Sequence, residues 1–389
     1  MTNVLVLIFV FSTALILHTY FLYPFLMILF FSKKKKINTN YKKNDSELPS
    51  AAVLIAAYNE EKVIKEKLES VFNTNYPKNK LKVYVGSDAS NDGTNELLHE
   101  LKNTYPNLEI VIFKQRSGKI NIINHLQSLS EEEILIMTDA NVMFKSESLF
   151  ELIKNFKDEH VGIVASNIVK VSQNNDGISY QEKVYLSLEN KIKAAESNAF
   201  NLIMGAEGGC YAIRNNLFSK VPSKFIVDDF FITIQVLLKG KKVLFNNEAI
   251  CTEDVDSAIK GEYRRKVRIS SGNFQNLFFF KRLLYKFWKP IGFAFWSHKV
   301  LRWLTPFFIF FAFIASACLS ISSNLFLSLF LLQITCLLIT FFSGLISISN
   351  PLLKFIVHFY LMNFALFEGF VKYCKGIQSS VWQPIKRNV

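Results

Sequence analysis

Ile134-Leu135-Ile136-Met137-Thr138-Asp139-Ala140-Asn141 is the stretch on which both fold and chemistry turn. Four consecutive apolar residues, too few for a helix without a flanking pattern, predict a buried strand of a parallel sheet. The strand runs straight into a carboxylate and, two residues later, a carboxamide. Ligands of open α/β sheets bind beyond the carboxyl ends of the strands. Residues two apart on a strand share a face, so Asp139 and Asn141 point the same way from that edge. Two hard oxygen donors there suit Mg2+ or Mn2+, with water and a substrate diphosphate completing the shell. The aspartate could equally cap the following turn, and Asp-x-Asn alone does not decide between the two.

On either side of this strand, strands alternate with helices. Ala51–Ala57 reads as a buried strand ending at Tyr58-Asn59-Glu60-Glu61, and Val63, Ile64, Leu68, Val71 and Phe72 follow at helical spacing. A second strand, Leu81–Val85, closes at Gly86-Ser87-Asp88-Ala89-Ser90-Asn91-Asp92-Gly93-Thr94, where Asp92 is placed to cap a helix starting near Thr94. A third strand covers Glu109–Phe113, and a helix is entered through Ser117-Gly118-Lys119, where a cation and free backbone N–H groups could meet an anion or a base edge. Beyond the central strand come a further strand, Val161–Val171, and a helix, Tyr180–Asn198. Such alternation predicts a largely parallel sheet covered on both faces.

The composition is too apolar for an ordinary soluble α/β protein. Half of the 389 residues are hydrophobic, 38 of them Phe, and the mean hydropathy is +0.21. The excess lies at the two ends. Val4–Phe31 contains no Lys, Arg, Asp or Glu and is long enough to span a hydrocarbon core of roughly 30 Å. A cleaved signal peptide has a charged start, a shorter apolar stretch and a small-residue cleavage site. Here Met1-Thr2-Asn3 carries no side-chain charge, and Lys33-Lys34-Lys35-Lys36, then Lys42 and Lys43, follow the apolar run. Positive residues beside a span stay inside, which puts the amino terminus outside and residue 33 onward in the cytosol.

Toward the carboxyl end, Asn276–Trp303 mixes aromatic residues with Lys281, Arg282, Lys286, Lys289, Lys299 and Arg302, a pattern of interfacial helices. Leu304–Ser322 and Leu325–Ile348 are apolar enough to span, and Pro351–Phe370 is apolar but carries Lys354, His358 and Glu368. Three carboxyl-terminal spans would carry Lys372, Lys375, Lys386 and Arg387 outside; two spans and an interfacial or re-entrant last segment keep them inside, as the inside-positive count favours. The expected division is a transmembrane helix (1–32), a basic linker (33–50), an α/β domain (51–275), interfacial helices (276–303), a membrane region (304–372) and a cytosolic tail (373–389). The net charge of +13 fits an anionic membrane leaflet and an anionic donor. No zinc-finger spacing or paired basic-aromatic motif points to nucleic acid. Cys210, Cys251, Cys318, Cys336 and Cys374 are scattered, as reduced thiols are, and form no disulfide framework.

Taken together, Ala56-Ala57-Tyr58-Asn59-Glu60-Glu61, Ser87–Thr94, Gly118-Lys119, Thr138–Asn141, Gly208–Arg214 and Val227-Asp228-Asp229-Phe230 resemble the nucleotide-sugar half of a family 2 glycosyltransferase. Arg264–Arg268 and Trp382–Arg387 resemble elements of its membrane-embedded polysaccharide-synthase branch, which includes cellulose, hyaluronan and poly-N-acetylglucosamine synthases. The resemblance implies a GT-A-type, Rossmann-like α/β fold with a mostly parallel sheet, cytosolic and flanked by transmembrane and interfacial helices at both ends. It also implies transfer, with inversion, of a sugar from a UDP-sugar donor to a lipid-linked or polysaccharide acceptor at the membrane. Ala57, Tyr58, Glu60 and Asp88 would contact uracil and ribose, and Lys119, Arg265, Arg268 and Trp382 would complete the donor site. Asp139 with Asn141 would hold Mg2+ or Mn2+. Asp229, beside Asp228, would be the general base, and Gly208 and Gly209 would allow close approach of the acceptor. Two departures stand out. Asn141 replaces a frequent second aspartate, and Arg265 and Ile269 stand where processive synthases carry Gln and Trp. A catalytically silent membrane scaffold and a polyisoprenyl-phosphate glycosyltransferase are the alternatives. A nucleotidyltransferase would want a Gly-rich entry to the first helix, where this chain has Tyr58-Asn59-Glu60-Glu61.

Overall fold

The computed structural model describes residues 2–33, 39–171, 178–254, 259–344 and 350–376. In chain order the elements are α1 (Thr2–Phe31), β1 (Ala51–Ala57), α2 (Ile64–Phe72), β2 (Leu81–Asp88), α3 (Thr94–Thr104), β3 (Leu108–Phe113), α4 (Lys119–Leu129), β4 (Ile134–Asp139), β5 (Val142–Phe144), α5 (Ser148–Ile153), β6 (Val161–Val171), α6 (Ile178–Phe200), β7 (Cys210–Arg214), α7 (Asp228–Leu238), β8 (Lys242–Asp254), α8 (Ile259–Phe279), α9 (Pro290–Leu319), α10 (Asn324–Phe342) and α11 (Pro351–Cys374). They form two compact units, one built on residues 30–175 and 183–256, the other on residues 1–29, 176–182 and 257–377.

The first unit is an eight-stranded sheet in the order β3-β2-β1-β4-β7-β6-β8-β5. Strands β3, β2, β1 and β4 run parallel, the half that the strand–helix alternation anticipates. Beyond β4 the sheet is mixed: β7 is antiparallel to both β4 and β6, β6 and β8 are parallel, and β5 is antiparallel to β8. Ile134, Leu135 and Ile136 are fully buried, as expected of a central strand covered on both faces. One face packs on Ile64, Leu68 and Val71 of α2, Leu98 of α3 and Leu149 and Leu152 of α5. Ile120, Ile122, Ile123 and Leu126 of α4 are buried too; Ile122 lies so close to Gly86 of β2 that a Cβ there would sit 2.3 Å from its Cγ2.

The second unit is helical. Among the described residues, α1, α9, α10 and α11 are long and apolar enough to cross a membrane. Helix α9 starts at Pro290, inside the stretch read as interfacial, and proline suits a first helical turn because it has no N–H to leave unpaired. A turn of π-helix interrupts α1 at His18–Leu22 and α9 at Phe295–Val300. There His18 Nε2 lies 3.0 Å from Ser297 Oγ, and Thr19 Oγ1 donates to Ser297 O at 2.9 Å. Helix α8 packs on α11, with Ser270 Oγ donating to Leu366 O (2.9 Å), Tyr263 OH to Glu368 Oε2 (3.1 Å) and Phe278 stacked on Tyr373. All five cysteines are free.

Candidate active site

Register brings the carboxyl ends of the three central parallel strands level: Ala56 faces Asp139, and Ala57 faces Ser87. The loops that leave β1 and β2 are tied together. Asn59, at φ +55°, exchanges hydrogen bonds with Asn91, its Nδ2 donating to Asn91 Oδ1 (2.7 Å) and its Oδ1 accepting from Asn91 N (3.0 Å). Glu60 N donates to Thr94 Oγ1 (2.9 Å), and Gly93 N to Glu61 Oε2 (3.1 Å). Asp92 accepts from Thr94 N (3.1 Å) at the start of α3, but the N-cap position that it was expected to fill belongs to Gly93. Ala57, expected among the base contacts, is fully buried.

Asp88 is also fully buried, and its carboxylate is occupied in shaping the next loop. It accepts from Arg116 Nε (3.0 Å), Ser117 N (2.5 Å) and Gly118 N (3.0 Å). Gly118 holds φ +83° there, a conformation that costs glycine little, and so starts α4 with Lys119 aimed at the strand ends. The guanidinium of Arg116 lies 3.3 Å over the Tyr58 ring, a flat cationic platform suited to stacking under a base. The sequence reading missed Arg116. Asp88→Ala removes three charge-assisted bonds and is expected to cost about 3 kcal/mol, the low end for a broken buried pair because the Arg116 side chain is 26% exposed. A lowered unfolding midpoint checks this; an unchanged one would leave Asp88 with a ligand-binding role alone.

On the far side of β4, three carboxylates act on one ammonium. Lys119 Nζ lies 2.5 Å from Asp139 Oδ1. Burial pulls the Lys119 pKa down, but Asp139, Asp228 and Asp229 outweigh it and the net shift is upward. Asp228 and Asp229 open α7, where acidic side chains meet the positive end of the helix dipole. Asp229 Oδ1 accepts from Phe230 N (2.7 Å). Burial and the neighbouring charge of Asp228 push its pKa up to about 7, against the opposing pull of the Phe230 N–H, Lys119 and Gly208. A Cβ on Gly208 would sit 3.0 Å from Asp229 Oδ2, and one on Gly209 2.6 Å from Ile168 Cδ1. The two glycines make room for the carboxylate and for a core side chain.

Asn141 donates from Nδ2 to Glu253 Oε1 (3.2 Å). An ionised carboxylate only accepts, so the amide oxygen of Asn141 faces away from Glu253. Among the described residues no group of three or more His, Cys, Asp or Glu is placed to hold a metal by itself. Asp139 with the Asn141 oxygen fits a cation of the Mg2+ or Mn2+ type, whose other ligands arrive as phosphate oxygens and water. Lys193 of α6, buried, donates to Glu207 Oε2 (3.1 Å). Burial pulls its pKa down, yet Glu207, Glu189 and Asp229 raise it overall. Neither Glu253 nor Lys193 carries a motif; each matters only through what the fold places beside it. Arg265 and Arg268 lie on α8 in the helical unit, where Arg265 forks onto Glu262 at 2.7 and 3.0 Å and Arg268 is exposed. Trp382 lies outside the described residues.

Residues 52–221 match the family described as glycosyl transferase family 2. They form a family 2 glycosyltransferase domain. The chain is 25% identical over 240 residues to the probable glycosyltransferase YdaM of Bacillus subtilis, covering 60% of this chain and 57% of that protein. It is 24% identical over 275 residues to the poly-beta-1,6-N-acetyl-D-glucosamine synthase of Staphylococcus epidermidis, covering 67% of this chain and 63% of that one. The chain thus spans about three fifths of the length of the curated relatives it matches. Its fold is that of the mannosyltransferase PcManGT from Pyrobaculum calidifontis, solved with GDP-Man and Mn2+, at a TM-score of 0.69 and 21% identity over 94% of this chain and 99% of that one. The GT-A architecture implied by the motifs is the one observed.

Proposed function

We propose that the protein is a membrane-bound inverting glycosyltransferase that moves a hexose or N-acetylhexosamine from a UDP-sugar to a lipid-linked or polysaccharide acceptor. The observation that carries this reading is the convergence of Asp139, Asp228 and Asp229 on Lys119, with Lys119 and Asp139 inside the family 2 match and the two other aspartates just beyond its end. Arg116 and Tyr58 would hold the base, and Lys119 would meet the diphosphate. Arg265, Arg268 and Trp382 are the further donor contacts that the family motifs imply. Charge neutralisation of the leaving diphosphate is what a divalent cation at Asp139 and Asn141 supplies, and the mannosyltransferase of the same fold was solved with Mn2+.

Asp229 takes the proton of the acceptor hydroxyl as that oxygen bonds to the anomeric carbon. The bond from this carbon to the diphosphate breaks, and UDP leaves with its electron pair. Attack from the face opposite the leaving group inverts the anomeric centre. A carboxylate with a pKa near the working pH is well matched to this task. Membranes containing the protein, incubated with a panel of radiolabelled UDP-sugars, are expected to move one label into lipid or polymer. Failure of every UDP-sugar while a GDP-sugar donates would overturn the choice of nucleotide.

The same reading sets the orientation: amino terminus outside, glycosyltransferase domain and carboxyl terminus in the cytosol. Helix α11 is long and apolar enough to cross, but a crossing would carry Lys372 and Lys375 outside, against the inside-positive trend. Reporter fusions at Ser46 and after Val389 should both read cytoplasmic. An extracytoplasmic signal after Val389 would make α11 a span.

A further inference from the structure

Lys67 occupies a place where a lysine is costly. It lies on α2 and is fully buried beneath the sheet, and no carboxylate among the described residues pairs with it. Its ammonium donates to Thr138 Oγ1 at 2.9 Å and to the carbonyl oxygen of Val142, and lies 4.1 Å from the centroid of the Phe144 ring. Burial pulls its pKa down to about 8, while Cys210, Cys251 and Asp139 push the other way, so the ammonium is charged at neutral pH. Taking a charge out of water costs several kcal/mol even after relaxation. A methionine would fill the same volume without that cost.

The two oxygens that Lys67 grips bracket the site. Residue 138 precedes Asp139, and residue 142 follows Asn141, so the ammonium closes the turn that carries both candidate metal ligands. Thr138 extends the grip. Its oxygen accepts from Lys67, and its hydroxyl hydrogen goes to Gly209 O at 3.0 Å. Asp139 N donates to that same carbonyl at 3.1 Å. Gly209 adjoins Gly208, against whose Cα the Asp229 carboxylate packs. One buried cation therefore ties the Asp139–Asn141 turn to the backbone on which the candidate base rests.

We propose that Lys67 is a positioning residue, a buried cationic clamp that sets the Asp139–Asn141 turn in the geometry that binds a divalent cation with a nucleoside diphosphate. This rests on the metal-dependent reading above. Loss of groups that orient metal ligands typically weakens metal binding by about 10–100-fold. Lys67→Met keeps the apolar stem and the packing on Phe144 but removes both hydrogen bonds. Thr138→Val, nearly isosteric, cuts the clamp from its other arm and carries the test should Lys67→Met not fold.

The experiment is a Mn2+ titration of the detergent-solubilised full chain in the presence of UDP, followed by electron paramagnetic resonance, with thermal unfolding as a check on the fold. The expected result is a Kd for Mn2+ raised about tenfold or more in each folded variant, and a matching rise in the Mn2+ concentration that half-saturates sugar transfer. A purely structural lysine would lower the unfolding midpoint and the active fraction while the folded remainder bound Mn2+ as the parent does. Parent-like Mn2+ affinity in folded Lys67→Met or Thr138→Val overturns the proposal and leaves the metal site standing. A parent protein that binds no Mn2+ with UDP overturns the metal reading, and the clamp with it.

Discussion

Asp229→Asn is expected to slow sugar transfer by about 10²–10⁴, the usual contribution of a positioned general base, while UDP-sugar binding persists. Neighbouring residues on a helix project about 100° apart, so Asp228 and Asp229 leave the start of α7 in different directions. Of the two acidic residues that open the helix, Asp229 is the one set against Gly208 and the one whose pKa is pushed to about 7 by burial and by Asp228. The ionised form is the base, so the rate should rise with pH through about 7 and level off above it. Asp228→Asn removes the like charge, lowers the Asp229 pKa and moves that limb to more acidic pH, with a smaller loss of rate. Stability runs the opposite way. The folded-state pKa lies above the ordinary 3.8, so the stability linked to this proton is full below pH 4 and lost as pH rises through about 7. Asp229→Asn should accordingly be at least as stable as the parent at pH 8, which separates lost chemistry from lost fold. Parent-like transfer by Asp229→Asn in matched membranes would remove Asp229 from the mechanism.

The second large effect belongs to Asp139→Ala, expected to abolish turnover at near-normal expression. Without this carboxylate the site would lose a ligand of the cation that neutralises the leaving diphosphate. Asp139 ends a strand whose other residues are buried, while its own side chain is 40% exposed, so the fold should tolerate the change. Excess chelator should reproduce the loss in the parent, and added Mn2+ or Mg2+ should reverse it. Full activity in excess chelator would contradict the metal assignment.

The residues that could be read in advance are those whose roles follow from local pattern. The buried run before Asp139 fixed its strand. Other roles depend on partners distant in sequence. Arg116 became a platform because Asp88, 28 residues earlier, holds its loop and Tyr58 lies beneath it. Lys67 did leave a signal. With Ile64, Leu68 and Val71 it completes an i, i+3, i+4, i+7 stripe, the pattern of a buried helix face. A cation on that stripe is where a function is to be sought, yet the apolar residues around it make the face look complete. That Gly208 and Gly209 also leave room for Asp229 and Ile168 depends on packing between distant segments. The start of α9 at Pro290 was masked by the lysines and arginines around it.

The central claim is that Asp139 and Asp229 serve a single group transfer from a nucleotide sugar to an acceptor hydroxyl. Its most direct test measures, in one reaction with Mn2+, the UDP released and the labelled sugar gained by lipid or polymer. One UDP for each sugar transferred, with both signals lost together in Asp139→Ala and Asp229→Asn, is the predicted result. UDP release without labelled lipid or polymer, or transfer undiminished in both variants, would contradict it.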